Sequence, residues 1–323
     1  MTEQTEPISE RAAEVLPSLD FDYEFDEPPE DWFTAFHRRY SLAASIALIV
    51  TVCSGLVGLT LVTILDQDRT STSADLGRFW TNQVIKYASI AVVQFACGLA
   101  VQYRDVKVNY TRKIVHICYF VIPQLLDTEL IEFDKNIYTE LWNVGIVFFL
   151  LLLMLKIIRK RLWIFRIMYM AIDRPEDRPF TTFWFMSQLA VALPIIAGFS
   201  VLFSKLNRNH YVFIPLLILT LGDGLAEPVG IRWGYHKYTV KGLFVNREYT
   251  RSYQGSLCVA FFSVVSVLIY YNEFTKASIT FALLTLPICM TVTEAKSPHT
   301  WDNPLLLLVG YTLLVCGYYI EGN

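Results

Sequence analysis

Charge is scarce in this sequence. Only 18% of its residues are Asp, Glu, Lys or Arg, against about a quarter in an ordinary globular chain. Apolar residues take their place, 54% of 323, and they gather in long blocks rather than at amphipathic spacing. The mean hydropathy is +0.40. Lipid is therefore the expected main solvent. A net charge of −3 gives no reason to expect nucleic acid as a partner. No basic start leads into an apolar run, so no signal peptide is expected, and the first forty residues are too acidic for a transit peptide. Cysteine is sparse too. Cys53, Cys97, Cys118, Cys258, Cys289 and Cys316 lie in apolar segments without metal-ligand spacing. They read as small buried hydrophobes, with neither disulfides nor zinc expected. There is no Walker phosphate loop and no internal repeat.

What is present begins with an acidic stretch. Asp20, Asp22, Glu24, Asp26, Glu27, Glu30 and Asp31 leave residues 1–38 too polar to bury a core, so a disordered cytosolic tail is expected there. Residues 39–323 form the expected membrane domain. A spanning helix needs roughly 20 apolar residues. Candidate spans lie near 41–65, 83–103, 113–127, 141–158, 182–203, 211–231, 255–271, 276–293 and 303–320. The fold class is thus an all-α polytopic transmembrane bundle of about nine spans. The stretch Leu162–Ile172 is amphipathic, with a basic start, and suits an interfacial position.

Cations recur in alternate loops. Arg38 and Arg39 precede the first span. Arg104, Lys107, Arg112 and Lys113 separate the second from the third. Lys156, Arg159, Lys160, Arg161 and Arg166 follow the fourth. Arg232, Lys237, Lys241, Arg247 and Arg251 follow the sixth. The intervening loops are short or acidic, as with Asp127, Glu129, Glu132 and Asp134. By the positive-inside rule the tail is cytosolic and the C-terminus faces away. The acceptor pattern Asn109-Tyr110-Thr111 then lies on the cytosolic side, where glycosylation does not occur.

Four groups at cytosolic span ends carry chemistry. Arg112, Lys113 and His116 stand at the mouth of the third span, with Arg112 and His116 four apart on one helical face. They read either as topology anchors or as a phosphate fork with a histidine beside it. Gly222-Asp223-Gly224, continuing through Ala226, Glu227, Gly230 and Gly234, ends an apolar span with a carboxylate. Ionisable groups at that depth are costly and usually functional, glycine admits a close ligand, and a carboxylate there suits Mg²⁺. The alternative is a helix break with a solvated aspartate. No strand precedes the glycines, which excludes a dinucleotide fingerprint. Arg251, Ser252, Gly255 and Ser256 open the seventh span. They read as a capped helix start or, with its dipole and the arginine, as a phosphate cradle. Glu294, Lys296, Ser297, His299, Asp302 and Asn303 read as a solvated hairpin or as a source of a second metal carboxylate.

These residues resemble the polyprenol kinase family, which includes phytol, farnesol and dolichol kinases. The family's Arg-Lys-x-x-His segment matches Arg112, Lys113 and His116. Its Gly-Asp-Gly-x-Ala-[Asp/Glu] block matches Gly222 to Glu227, with Gly230 and Gly234 beyond. Its Lys-Ser-x-x-Gly-Ser segment matches Ser252, Gly255 and Ser256, with Arg251 in place of lysine. A late Glu and Asp-Asn resemble Glu294, Asp302 and Asn303. The resemblance covers roughly residues 104–320. It implies CTP as phosphoryl donor, Mg²⁺ as cofactor and a prenyl alcohol as acceptor, at the cytosolic face of the endoplasmic reticulum or of a bacterial inner membrane. On that reading Asp223, with Glu227 or Glu294, holds the metal. Arg112, Lys113 and Arg251 neutralise the triphosphate. Ser252, Gly255 and Ser256, with Gly222, Gly224, Gly230 and Gly234, bind nucleotide phosphate, and His116 meets the acceptor hydroxyl. The expected partners are membrane lipid, the alcohol and the nucleotide. A CTP-dependent diacylglycerol kinase and a CTP:phosphatidate cytidylyltransferase-like enzyme are alternatives within the same chemistry, and a transporter is the alternative of another class. The stretch from Gly234 to Arg251 is longer than the family pattern. It reads as a lid, a lipid contact or a topology signal.

Overall fold

The computed structural model describes residues 32–70, 73–133, 137–243 and 247–320. By compactness the chain divides into residues 1–39 and 40–323. The acidic tail expected over residues 1–38 lies, up to residue 31, outside the described residues.

Ten helices carry the fold: α1 (Trp32–Thr70), α2 (Ser73–Arg104), α3 (Val108–Leu125), α4 (Ile137–Leu153), α5 (Trp163–Met170), α6 (Thr181–Lys205), α7 (Asn209–Trp233), α8 (Tyr253–Ile269), α9 (Lys276–Lys296) and α10 (Asp302–Ile320). Six of them have segments long and apolar enough to cross a membrane: Ser41–Val62, Gly77–Arg104, Thr181–Lys205, Asn209–Trp233, Lys276–Lys296 and Asp302–Ile320. The three remaining spans expected from the sequence fall on α3, α4 and α8. Helices α4 and α8 have 17 residues each, about 26 Å at 1.5 Å per residue, against a hydrocarbon core of about 30 Å. The apolar run of α3 is interrupted by Arg112, Lys113 and His116. Six rather than nine is the number that length and apolarity support among the described residues.

The helical bundle carries one small addition of strand, between α7 and α8. There β1 (Lys237–Lys241) and β2 (Glu248–Ser252) pair antiparallel, with Lys237 opposite Ser252 and Lys241 opposite Glu248. The sequence Lys-Tyr-Thr-Val-Lys alternates in burial as a half-covered strand does. The hairpin is anchored at its far end to the loop between α9 and α10, where the His299 N–H donates to the Lys241 carbonyl.

The main core joins α6 to α10. Phe203, Tyr211, Ile214, Ile218, Val259, Leu286, Met290, Leu306, Tyr311 and Leu314 pack into it. Opposite faces of the long helices stay uncovered. On α1, Leu42, Ile46, Val50, Val57 and Leu61 are exposed, an apolar row at helical spacing that suits lipid. The segment Leu162–Ile172, expected to lie at the interface, contains α5. Its Ile167, Met168 and Tyr169 are buried, while Leu162, Trp163 and Ile164 are exposed.

Helix α7 is composite. A 3₁₀ turn (Asn209–Val212), an α segment (Phe213–Leu217), a π segment (Ile218–Asp223) and a second α segment (Gly224–Trp233) follow one another. A π turn inserts an extra residue per turn and re-aims the side chains after it. Here it sets the direction of Asp223 and Glu227. Pro228, which cannot donate within the helix, follows directly.

Helices α2 and α5 approach closely at Gly98, where a methyl group would run into the backbone carbonyl of Ile167. That carbonyl belongs to a helix held by neighbouring contacts, so it has little freedom to retreat. Gly98→Ala is expected to lower stability by roughly 1–3 kcal/mol, the usual cost of overpacking. The melting temperature in detergent measures this, and an unchanged value would show that α5 moves away freely.

Candidate functional site

The site begins with two helical faces. On α3, Asn109, Arg112, Lys113 and His116 follow the spacing of one face. On α7, Leu219, Asp223 and Glu227 do the same. The faces run antiparallel and meet residue by residue. Asn109 donates to Glu227 at 2.8 Å, Arg112 pairs with Glu227, Lys113 Nζ lies 2.8 Å from Asp223 Oδ2, and His116 Nε2 lies 3.3 Å from the Leu219 carbonyl. Lys113 also donates to the Asp223 carbonyl at 2.9 Å. Lys113 and Asp223 are each only 5% exposed. A buried charge without a partner is far costlier than a pair, so each of these two residues requires the other.

Three further segments close around this ladder. The loop after α5 brings Arg174, whose guanidinium meets Glu227 at 3.0 Å and Asp177 at 2.7 Å. The loop between α9 and α10 brings His299, whose Nε2 lies 3.0 Å from both Asp177 Oδ1 and Arg174 Nη2. Tyr249 of the hairpin stacks on the His299 ring at 3.5 Å. Burial alone would raise the Asp177 carboxyl, but the Arg174 guanidinium and the His299 hydrogen bond outweigh it and hold it well below the usual carboxylate range. Burial pulls the His299 imidazole below its ordinary value, against the Asp177 contact that raises it.

On the other side, Arg251 at the end of β2 binds two helices. It pairs with Glu294 at 3.2 Å and with Asp302 at 3.2 Å, and it donates to the Glu294 carbonyl. Ser256 donates to Glu294 at 2.6 Å, and the Tyr238 hydroxyl meets Ser256 at 2.7 Å. Ser252 caps α8, accepting the Gly255 N–H at 3.1 Å. The Tyr253 N–H is taken by the His236 carbonyl.

One cavity of about 790 Å³ collects these groups. Its walls include Arg112, Lys113, His116, Arg174, Asp223, Glu227, Gly230, Arg251, Ser252, Gly255, Ser256, Glu294, His299 and Asp302. The aspartate, the histidine and the three cations singled out from sequence therefore converge, together with all three carboxylates assigned to metal. The glycines divide. Gly230 and Gly255 line the cavity, whereas Gly222, Gly224 and Gly234 do not. A methyl at Gly230 would press on Ser252 Oγ at 2.6 Å, and one at Gly255 on the Ala226 carbonyl at 2.6 Å. Gly222 packs against the α8 backbone at Val259, and Gly224 against Ile117. In this structure the glycines bring α7, α8 and the hairpin together.

Sequence reasoning missed Asn109, Arg174, Asp177, Tyr238 and Tyr249. A signal existed for two of them. Asp173-Arg174-Pro175-Glu176-Asp177-Arg178 is charged at every position but the proline. It was passed over because no spacing rule covers it.

Over 95 residues the chain is 30% identical to a phytol kinase of Synechocystis sp.; the match takes in 29% of this chain and 36% of that protein. No family model matches the chain, and no solved structure does. The similarity thus points to phytol kinase-like proteins over about a third of the relative's length.

Whether the site suits Mg²⁺ turns on its carboxylates. Among the described residues no three His, Cys, Asp or Glu side chains gather as a ready metal cage. Asp223, Glu227, Glu294 and Asp302 each face a protein cation. Magnesium is commonly held by one or two carboxylates with the rest of its shell from phosphates and water. The donor set fits that mode, in which metal arrives with a nucleotide, and not a resident all-protein site.

The Lys113–Asp223 pair yields a test. Lys113→Met strands a buried carboxylate and is expected to cost about 3–5 kcal/mol. Adding Asp223→Leu removes the stranded charge and should restore most of that stability, though not activity. Denaturant midpoints of the two variants decide it, and a double variant no more stable than the single one would refute the pairing.

Proposed function

We propose that this protein is a membrane kinase that transfers the γ-phosphoryl group of a nucleoside triphosphate, CTP in our reading, to the hydroxyl of a long-chain prenyl alcohol at the cytosolic face. One observation carries the proposal: a single cavity has a charged end, with Arg112, Lys113, Arg174 and Arg251 among carboxylates, and an apolar extension between membrane helices lined by Phe120, Val147, Leu151, Leu189, Leu193 and Ile196. A water-soluble polyphosphate and a lipid alcohol need such a two-sided space to meet. The partial similarity to a phytol kinase supports the same reaction class.

Phosphoryl transfer relies on positioning and charge neutralisation more than on covalent chemistry. In this reading the arginines and Lys113 exchange their carboxylate partners for phosphate oxygens, for which guanidinium groups are well shaped. The carboxylates so released, Asp223 with Glu227 or Glu294, would hold a Mg²⁺, which when bound would neutralise charge on the phosphate oxygens. The alcohol oxygen attacks the γ-phosphorus, the bond to the β–γ bridging oxygen breaks, and CDP leaves. His116 orients the hydroxyl or accepts its proton. Ser252 and the start of α8 bind phosphate once their internal hydrogen bonds open.

A second reading is favoured by one feature. Lys86, 1% exposed, pairs with Asp127 at 2.7 Å far along the same cavity, and buried charges within spans also mark transporters. Flux assays in proteoliposomes separate the two.

The kinase reading is tested with purified protein, γ-labelled CTP or ATP, and a panel of prenols plus diacylglycerol. Label is expected on a prenol, with CTP preferred. Asp223→Asn should reduce transfer by about a hundredfold or more while the protein stays in the membrane. Near-normal turnover in that variant would remove Asp223 from the mechanism, and label on no lipid would end the kinase reading.

A further inference from the structure

The cavity does not stop at the charged end. It follows α2 and α3 to a second polar group that the reaction does not use. Two pairs mark the way. Tyr119 donates to Gln94 at 3.1 Å, and Lys86 pairs with Asp127 at 2.7 Å. Each step of eight residues down α2 is matched by eight along α3 and the π turn Leu126–Leu130 that continues it, so the two run antiparallel and in register. All four residues line the cavity. From His116 to Asp127 is eleven residues of helix, about 16 Å of rise. Between them the lining mixes apolar residues, Phe120, Pro123 and Val147 among them, with the Tyr119–Gln94 pair.

We infer that this arm is the acceptor's tail site and that the Lys86–Asp127 pair is its floor, setting the longest chain the enzyme accepts. The inference rests on the kinase reading above. An extended chain advances about 1.2 Å per bond, from the reach of roughly 3.5 Å per three-bond residue. The arm thus holds some 13 bonds beyond the reacting end, the length class of an alcohol of three to four isoprene units. A hydrocarbon tip that reached further would have to push apart Lys86, which is buried, and Asp127, whose side chain is 18% exposed, at an electrostatic cost. Lys86 is additionally enclosed by Asn143, whose Oδ1 lies 3.5 Å away, and the Tyr87 hydroxyl donates to the Asn143 carbonyl at 3.4 Å. The floor is therefore braced from α4 as well as α3.

The test compares label transfer from CTP to prenols of two, three, four and eleven isoprene units. The intact protein is expected to be most active at three or four units and at least about tenfold weaker at eleven. Lys86→Met with Asp127→Leu removes both charges together and leaves neither stranded. It should raise activity toward the longest alcohol severalfold or more, with the three-unit alcohol little changed. Val147→Trp narrows the arm midway and should lower activity on four units relative to two by about tenfold. The two variants act at different depths, so misfolding of one leaves the other to decide. Unshifted length preference in a folded variant overturns the floor while the kinase reading stands. Equal activity of the intact protein at every length does the same. Label on no lipid overturns both.

Discussion

The arrangement depends on one contact: a lysine and an aspartate, both shut away from water, held between α3 and α7. Lys113 and Asp223 are the centre of a ladder that starts at Asn109 with Glu227 and ends at His116 with the Leu219 carbonyl. The ladder fixes both the register and the direction of the two helices. An apolar interface of the same area would tolerate sliding by a turn, because lipid and leucine are similar environments. A buried ion pair does not, because a slip leaves two unpaired charges. The site's geometry is thereby coupled to the membrane packing.

Around that contact, charge is arranged in excess of what folding needs. Arg112 and Arg174 share Glu227; Arg251 shares Glu294 and Asp302. Each cation faces a carboxylate, so the resting site is close to neutral within its walls. A polyanion entering alone would meet as many negative as positive groups. A polyanion entering with a divalent cation meets a partner for each of its parts. This internal compensation explains how the buried arginines are tolerated away from water.

Much of the site was legible in the sequence because membrane chemistry makes ionisable residues conspicuous. Asp223, Arg112, Lys113 and Arg251 stand out against apolar surroundings, whereas their convergence on one cavity is seen only in the fold. The fold was less legible. Helices α4 and α8 are mostly apolar, and hydropathy alone does not distinguish a short buried helix from a spanning one. The hairpin was missed because Lys237, Lys241 and Arg247 dominate its appearance, masking the Tyr-Thr-Val alternation between them. Arg174 and Asp177 were missed for the opposite reason. Their loop is so charged that it looks solvated, although Arg174 and Asp177 are each only 5% exposed. The glycines around Asp223 were read for ligand approach, yet Gly222 and Gly224 are used for helix contact. Composition supplies the need for small residues and leaves open what comes close.

The arginine at position 251 bridges two helices. Its side chain leaves β2 and reaches α9 through Glu294 and α10 through Asp302, with the Glu294 carbonyl as a third acceptor. A lysine carries one compact charge and cannot span two carboxylates with separate, oriented donors, whereas the guanidinium fork can. This chain also has the long hairpin, whose far end is tied to the α9–α10 loop through the Lys241 carbonyl and the His299 N–H, and through Tyr249 stacked on His299. Arginine and hairpin thus act on the same pair of helices, one at each end of the strand ladder.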